Sequence, residues 1–266
     1  MTVEHSGGSQ PARVLAKLWR HHRPAARPAD GKPALGRRPT LTLDAVISAA
    51  IELADSEGLA TMSMGRVAKA LGVGTMTLYT YVPSKDELLD LMIDQVYLER
   101  ELPRSGPELP ESWRDKVELY AAQTLAMFGR HDWLCEVSFI RPPIGPGMLD
   151  AREFLLAALS GIGLEPVQVD SAALAISTYV EGAAGIQADS ARIERRTGQS
   201  NDAWWGERND LWETYFDVER YPAMTAIWHA GGFNRNTAEA AAHSYRFGLD
   251  RLLDGINALI PKPPKT

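Results

Sequence analysis

From Thr42 onward the apolar residues of this chain recur at helical spacing, and no convincing stretch alternates with the two-residue period of a half-buried strand. The clearest case is the last segment, where Tyr245, Leu249, Leu252, Leu253, Ile256, Leu259 and Ile260 follow i, i+4, i+7, i+8, i+11, i+14 and i+15. That pattern restricts the chain to an all-α architecture. Further helices are expected near 112–130, 147–161, 166–196 and 201–215, after a cluster of short ones between residues 42 and 100. A chain of 266 residues, 45% of them hydrophobic, has the material for two packed units.

The short helices carry their own start and stop signals. Thr42 precedes a segment with Asp44 in its first turn and Val46, Ala50, Leu53 and Ala54 on one face, and Gly58 closes it. Ser63 starts a second helix that Gly72 ends. "TMTLYTY", Thr75–Tyr81, makes a third, and Ser84 with Glu87 forms the S-x-x-E pattern of a capping box at the start of a fourth. Two helices joined by a tight glycine turn, the second displaying hydroxyls and aromatics, match a helix-turn-helix. Gly72 suits the turn because a Cβ is expected to clash there. Lys85 in the first turn of the next helix opposes the helix dipole, and a phosphate over that N-terminus resolves the conflict. From pattern alone, a small three-helix bundle with an exposed lysine accounts for the same residues.

Charge is unevenly placed. Residues 1–40 hold eight Lys/Arg against two acids, a local +6 on a chain whose net charge is -6. This basic extension is rich in Gly, Ser, Pro and Arg and is expected to be flexible, with at most a nascent helical turn in "RVLAKLWRHHR" or a segment that folds on DNA or a partner. The lone Cys135 excludes a disulfide framework and points to a reducing cytoplasm. No apolar run approaches the roughly 20 residues of a membrane helix, so no membrane partner is expected.

Thr42–Asp94, with its "LGV" followed by "LYTYVPSKDELL", closely resembles the N-terminal DNA-binding domain of the TetR family of transcriptional repressors. "RPPIGPGML" (Arg141–Leu149) and "FGLDRLLDGI" (Phe247–Ile256) are similar to the tetracycline-repressor type of C-terminal domain. The resemblance implies a helix-turn-helix domain over 41–88, a linker helix to about 101, and a helical-bundle ligand-binding and dimerisation domain over 102–266. It implies that Thr75, Met76, Thr77 and Thr80 face bases, that Ser63, Tyr79, Tyr81 and Lys85 hold phosphates, and that Arg66 reaches either. Tyr81 stands where the family often has His. Arg37 and Arg38, ahead of the first helix, are candidates for an adjacent minor groove. The implied function is a ligand-responsive regulator, a repressor by preference, binding a palindromic operator in double-stranded DNA as a homodimer and released by a small-molecule effector.

One short reading helix covers few base pairs, so a dimer reading half-sites about 34–36 Å apart is expected. The helices near 166–196 and 237–260 are its candidate interface, or core helices within one chain. An apolar or aromatic effector is expected among the C-terminal aromatics and histidine, with Trp113, Phe128, His131, Trp133, Phe139, Tyr179, Trp212 and Trp228 as candidates and Glu181 as a polar member. Most aromatic stripes of this kind are simply core. Two other classes compete. An enzyme would need a nucleophile such as Cys135 four residues after His131, or a metal on His131, Asp132 and Glu136. No phosphate-loop, dinucleotide or metalloprotease motif is present, so no catalytic residue, cofactor or metal is expected. A protein-binding helical adaptor explains the bundle but not the outward Thr and Tyr face followed by Lys85.

Overall fold

The computed structural model describes residues 4–8, 10–22 and 41–261. Arg37 and Arg38 lie outside these residues. Eleven α-helices and two strands of two residues each are found among the described residues, in keeping with an all-α chain.

Helices α2 (Leu43–Glu57), α3 (Met64–Ala70) and α4 (Thr75–Tyr81) form an N-terminal head. Thr42 caps α2 by accepting from the Ala45 amide, and Gly58 ends it at φ 86°. Each such cap contributes about 1 kcal/mol. Val46, Ile47, Ala50, Ile51 and Ala54 of α2 meet Val67 and Ala68 of α3 and Leu78 of α4 in one apolar cluster. Leu53, expected inward, is only half-buried. Gly72 turns the chain between α3 and α4 at φ 66°, but no atom of the described residues lies within 4 Å of where its Cβ would stand. Its requirement is the left-handed backbone alone, not a lack of space.

Helix α5 (Lys85–Tyr97) joins the head to the body and is buried on nearly every side, with Leu88, Leu89, Leu91, Met92, Ile93 and Val96 in the head cluster. Only half of the expected capping box forms. Ser84 accepts from the Glu87 amide at 3.1 Å, whereas the Glu87 side chain turns away to bind Arg13 and Lys17.

The body comprises α6 (Trp113–Arg130), α7 (Pro146–Leu159), α8 (Pro166–Thr197), α9 (Asn201–Gly206), α10 (Pro222–His229) and α11 (Thr237–Asn257). Val117, Phe154, Leu155, Ile176, Val180, Leu249 and Leu253 make its core. The helix expected over 201–215 breaks after Gly206 and resumes as a π-helical turn at Leu211–Tyr215, and α10 was not anticipated. Residues 201–235 contain no buried side chain, so no core enforces a single helix there.

Two joints tie head to body. The Asp94 carboxylate of α5 accepts from the Gly147 amide at 2.8 Å, at the start of α7, and burial pushes its pKa up to about 6. His131, after α6, bonds Asp55 of α2 at 2.8 Å and Glu99 at 2.9 Å.

Within the basic extension, the described residues 4–8 and 10–22 depart most from expectation. Glu4–His5 (β1) pairs in parallel with Val137–Ser138 (β2), and Pro11–Leu18 (α1) is a helix packed against α5, with Val14 and Leu18 in the head cluster. Where only a nascent helical turn or a segment folding on DNA or a partner is expected, Val14 and Leu18 form the inner face of a helix docked on its own chain. Burying two aliphatic side chains and pairing Glu87 outweighs the ordering entropy that composition alone suggested would dominate.

Candidate nucleic-acid interface and effector cavity

Helix α4 is anchored by Leu78, its only buried residue. The helical period then turns Thr75, Met76, Thr77, Tyr79 and Thr80 to solvent, Met76 being 78% exposed. Such exposure of a large apolar side chain on a seven-residue helix serves no packing among the described residues. Hydroxyls and methyl groups on one short helix can meet both base edges and thymine methyls. Thr80 meanwhile donates to the Thr77 carbonyl at 2.7 Å.

Other expected DNA contacts are already occupied in the protein. Ser63 caps α3 by accepting from the Arg66 amide at 3.4 Å. Arg66 pairs with Glu57 and remains solvent-accessible. Tyr81 is half-buried and donates its hydroxyl to the Leu41 carbonyl at 3.0 Å, so this hydroxyl fastens the head instead of pointing outward. Lys85 forms an ion pair with Glu4 at 2.7 Å.

Of the eight aromatic and histidine residues expected around a ligand, the structure brings two to a cavity. Phe128 and Phe139 line an open cleft of about 550 Å³ together with Leu134, Cys135, Val137, Ser138, Glu181 and Ile186. Phe139 and Glu181 also line a more enclosed cavity of about 200 Å³, walled by Tyr97, Arg100, Tyr120, Met148 and Leu155. The other six stand elsewhere. His131 and Trp133 sit at the joint between head and body, where both bond Asp55. Trp113 packs on the body core beneath Arg114. Tyr179 stacks on Tyr245 and donates to its carbonyl at 2.8 Å, between α8 and α11. Trp212 and Trp228 contact one another on the exposed 201–235 segment.

The residue that sequence reading missed is Arg100. It is 6% exposed, lies over the Tyr97 ring at 4.4 Å and bonds Thr124 at 3.4 Å. Its Nη2 is buried and has no hydrogen-bond partner among the described residues. Across the cavity Glu181 accepts from the Tyr120 hydroxyl at 3.2 Å. Burial raises the Glu181 carboxyl, against the pull of the Arg100 charge and the Tyr120 hydroxyl. Tyr120 itself is raised by burial and by Glu181, so it stays a neutral donor. Nothing local marked Arg100, because its burial depends on α6 and α7 closing over the end of α5.

The enzyme reading finds no support at Cys135. Burial pushes its thiol up to about 11, despite Arg192 nearby, so the thiolate a nucleophile requires is scarce at neutral pH. His131, the proposed base, is held by two carboxylates instead. Asp132 and Glu136 are paired with Arg195 and Arg192. No helix among the described residues is long and apolar enough to cross a membrane.

Comparison with known proteins agrees with this geometry. Residues 46–92 match the model of the tetR family of bacterial regulatory proteins, and residues 106–260 match the tetracyclin repressor-like C-terminal domain. The chain is 39% identical over 259 residues to the HTH-type transcriptional repressor DrrR1 of Streptomyces coeruleorubidus, covering 97% of this chain and 90% of that one. It is 37% identical over 223 residues to an HTH-type transcriptional regulator of Saccharopolyspora erythraea, covering 83% and 86%. Among solved structures, ActR from Streptomyces coelicolor without ligand superposes with a TM-score of 0.66 at 25% identity, covering 84% of this chain and 98% of ActR. The same protein in complex with actinorhodin gives 0.65 at 25% identity, covering 82% and 97%. With an exposed seven-residue helix on an N-terminal head and cavities in a helical body, this chain belongs to the TetR family of ligand-responsive transcriptional repressors, which are not enzymes.

Proposed function

We propose that this repressor is released from its operator by an aromatic small molecule carrying both an acceptor oxygen and a hydroxyl, such as a hydroxyquinone, held between Arg100 and Glu181. The observation that carries this reading is the buried Nη2 of Arg100, without a hydrogen-bond partner among the described residues, beside a cavity walled by Tyr97, Tyr120 and Phe139. A buried guanidinium N–H left unmet costs about 1–3 kcal/mol or more, and an acceptor oxygen on a ligand recovers it. Flat rings suit the aromatic walls, and Glu181 accepts from a phenolic hydroxyl. Phe139 and Glu181 border both cavities, so a ligand larger than two rings extends into the 550 Å³ cleft. That ActR is solved in complex with actinorhodin supports a small-molecule effector.

In this reading residues 41–88 form the DNA-reading unit, α5 carries its movement to about residue 101, and residues 102–266 bind effector and partner. Thr75, Met76, Thr77 and Thr80 face bases, Ser63, Tyr79 and Lys85 reach the phosphates, and Arg66 reaches either. The dimer forms through α8 and α11, whose outward Leu174, Ile186 and Phe247 are more than half exposed. The test uses 2-hydroxy-1,4-naphthoquinone against naphthalene, by quenching of tryptophan fluorescence. The quinone is expected to bind at least about 10-fold tighter, the worth of one charge-assisted hydrogen bond. Arg100→Met is expected to abolish that preference while naphthalene binding persists. Equal binding of both probes to the unaltered protein would refute the assignment.

A further inference from the structure

We infer that residues 4–8 and 10–18 form a strap that links the floor of the effector cleft to the reading head and restrains operator binding by occupying Lys85. The inference rests on the DNA and effector roles proposed above and adds how the two sites communicate.

The strap is fastened at both ends. On the body side, β1 pairs with Val137–Ser138, and the buried Ser6 hydroxyl stands 2.8 Å from the Ser138 carbonyl and 3.0 Å from that of Arg141. Val137 and Ser138 line the larger cleft. At Gly7 the chain turns with φ 74°, and a Cβ there would stand 2.5 Å from the Arg141 oxygen, so only glycine passes. On the head side the Gly7 amide donates to Asp90 of α5 at 2.8 Å, and α1 then docks Val14 and Leu18 on the head while Arg13 and Lys17 bind Glu87. The Lys17 ammonium also donates to the Tyr81 carbonyl at 2.6 Å, at the last residue of the reading helix.

Glu4 lies at the point where these two attachments meet. Its carboxylate is 2.7 Å from the Lys85 ammonium, in the first turn of α5, where the helix dipole favours an anion. A DNA phosphate approaching that helix end meets a site whose charge is already neutralised and must displace Glu4. Both partners are about one-third exposed, so the pair is weak enough to exchange. A ligand that shifts residues 137–139 moves β1 with them and alters the grip of Glu4 on Lys85.

The test measures operator affinity and its salt dependence by fluorescence anisotropy, on a duplex selected by the full chain. Glu4→Gln is expected to tighten binding about 2- to 5-fold, the range of an exposed ion pair. It is also expected to steepen the salt slope by about 0.9 per half-site, because Lys85 then neutralises one more phosphate. In a Lys85→Gln background the same change should have no effect, which separates the named pair from a change in net charge. Ser6→Ala, which leaves charge alone but loosens β1 from Ser138 and Arg141, should give part of the tightening. An unchanged affinity in Glu4→Gln, or an equal change with and without Lys85, overturns the restraint. An inert Ser6→Ala overturns the link to the cleft. If the unaltered chain selects no duplex, the DNA reading itself fails and the strap with it.

Discussion

Glu87 is fully buried, and its carboxylate is met by Arg13 at 3.0 Å and by Lys17, both contributed by α1. Replacing both cations with methionine, Arg13→Met with Lys17→Met, keeps their aliphatic stems on the head but leaves a buried carboxylate without its cations. Removing the partners of a buried charge costs about 3–5 kcal/mol. That figure is an upper bound, because α1 can undock and let water reach Glu87. Undocking exposes Val14 and Leu18, which at about 1.5–3 kcal/mol per side chain limits the loss to roughly 3–6 kcal/mol, less the entropy that α1 regains. The two routes are therefore of similar size, and the observed loss is set by the smaller. The discriminating variant adds Glu87→Gln, which removes the charge and retains a hydrogen-bonding group. Urea denaturation followed by circular dichroism should show the double variant about 2–4 kcal/mol less stable, and the triple variant should regain at least half of that loss. Hydrogen exchange over residues 11–18 should be fast in the double variant and slow again in the triple. If the triple variant is no more stable than the double, the charge is not what α1 neutralises and the reasoning is wrong.

His131 supplies a pH dependence. Burial lowers its pKa, but the bonds to Asp55 and Glu99 outweigh burial and the net shift is upward from 6.5. A group whose folded pKa is raised stabilises fully below its unfolded value, and the gain is lost as pH climbs through the folded value. Stability should therefore fall as pH rises above 6.5, and His131→Gln should remove that fall in denaturation curves at pH 6, 7 and 8. Gly248 offers a steric test: an added methyl group would lie 2.7 Å from the Tyr179 ring. Alanine normally favours a helix over glycine by about 1 kcal/mol, so a loss of about 1–3 kcal/mol in Gly248→Ala, restored in part by Tyr179→Ala, is the outcome that packing dictates.

Much of the head was legible in the sequence because its signals are local. Thr42, Ser63 and Ser84 cap the helices they precede, and Gly58 and Gly72 end or turn the chain with positive φ. Leu78 inward and the hydroxyls outward follow from helical period alone. The cavity was not legible. Phe128 and Phe139 reach it, while His131 and Trp133, equally aromatic and nearby in sequence, bolt the head to the body through Asp55. Which aromatic meets a void depends on how α5, α6 and α8 converge, and no spacing rule carries that information. Arg100 and Glu181 are far apart in the chain and acquire their joint meaning only by burial. Residues 10–22 of the extension misled for a related reason: their composition predicts flexibility, yet Val14, Leu18 and the partners of Glu87 find their complement on a distant helix.

The account stands most directly on what the purified full chain selects from a random duplex library at physiological salt. It predicts enrichment of a palindrome whose two half-sites are about 34–36 Å apart along one face of the duplex. Tyr79→Ala combined with Lys85→Ala should lose that enrichment while remaining a dimer by light scattering. Binding without enrichment, or enrichment that survives in this variant, would contradict the assignment of α4 and the start of α5 as the surface that reads DNA.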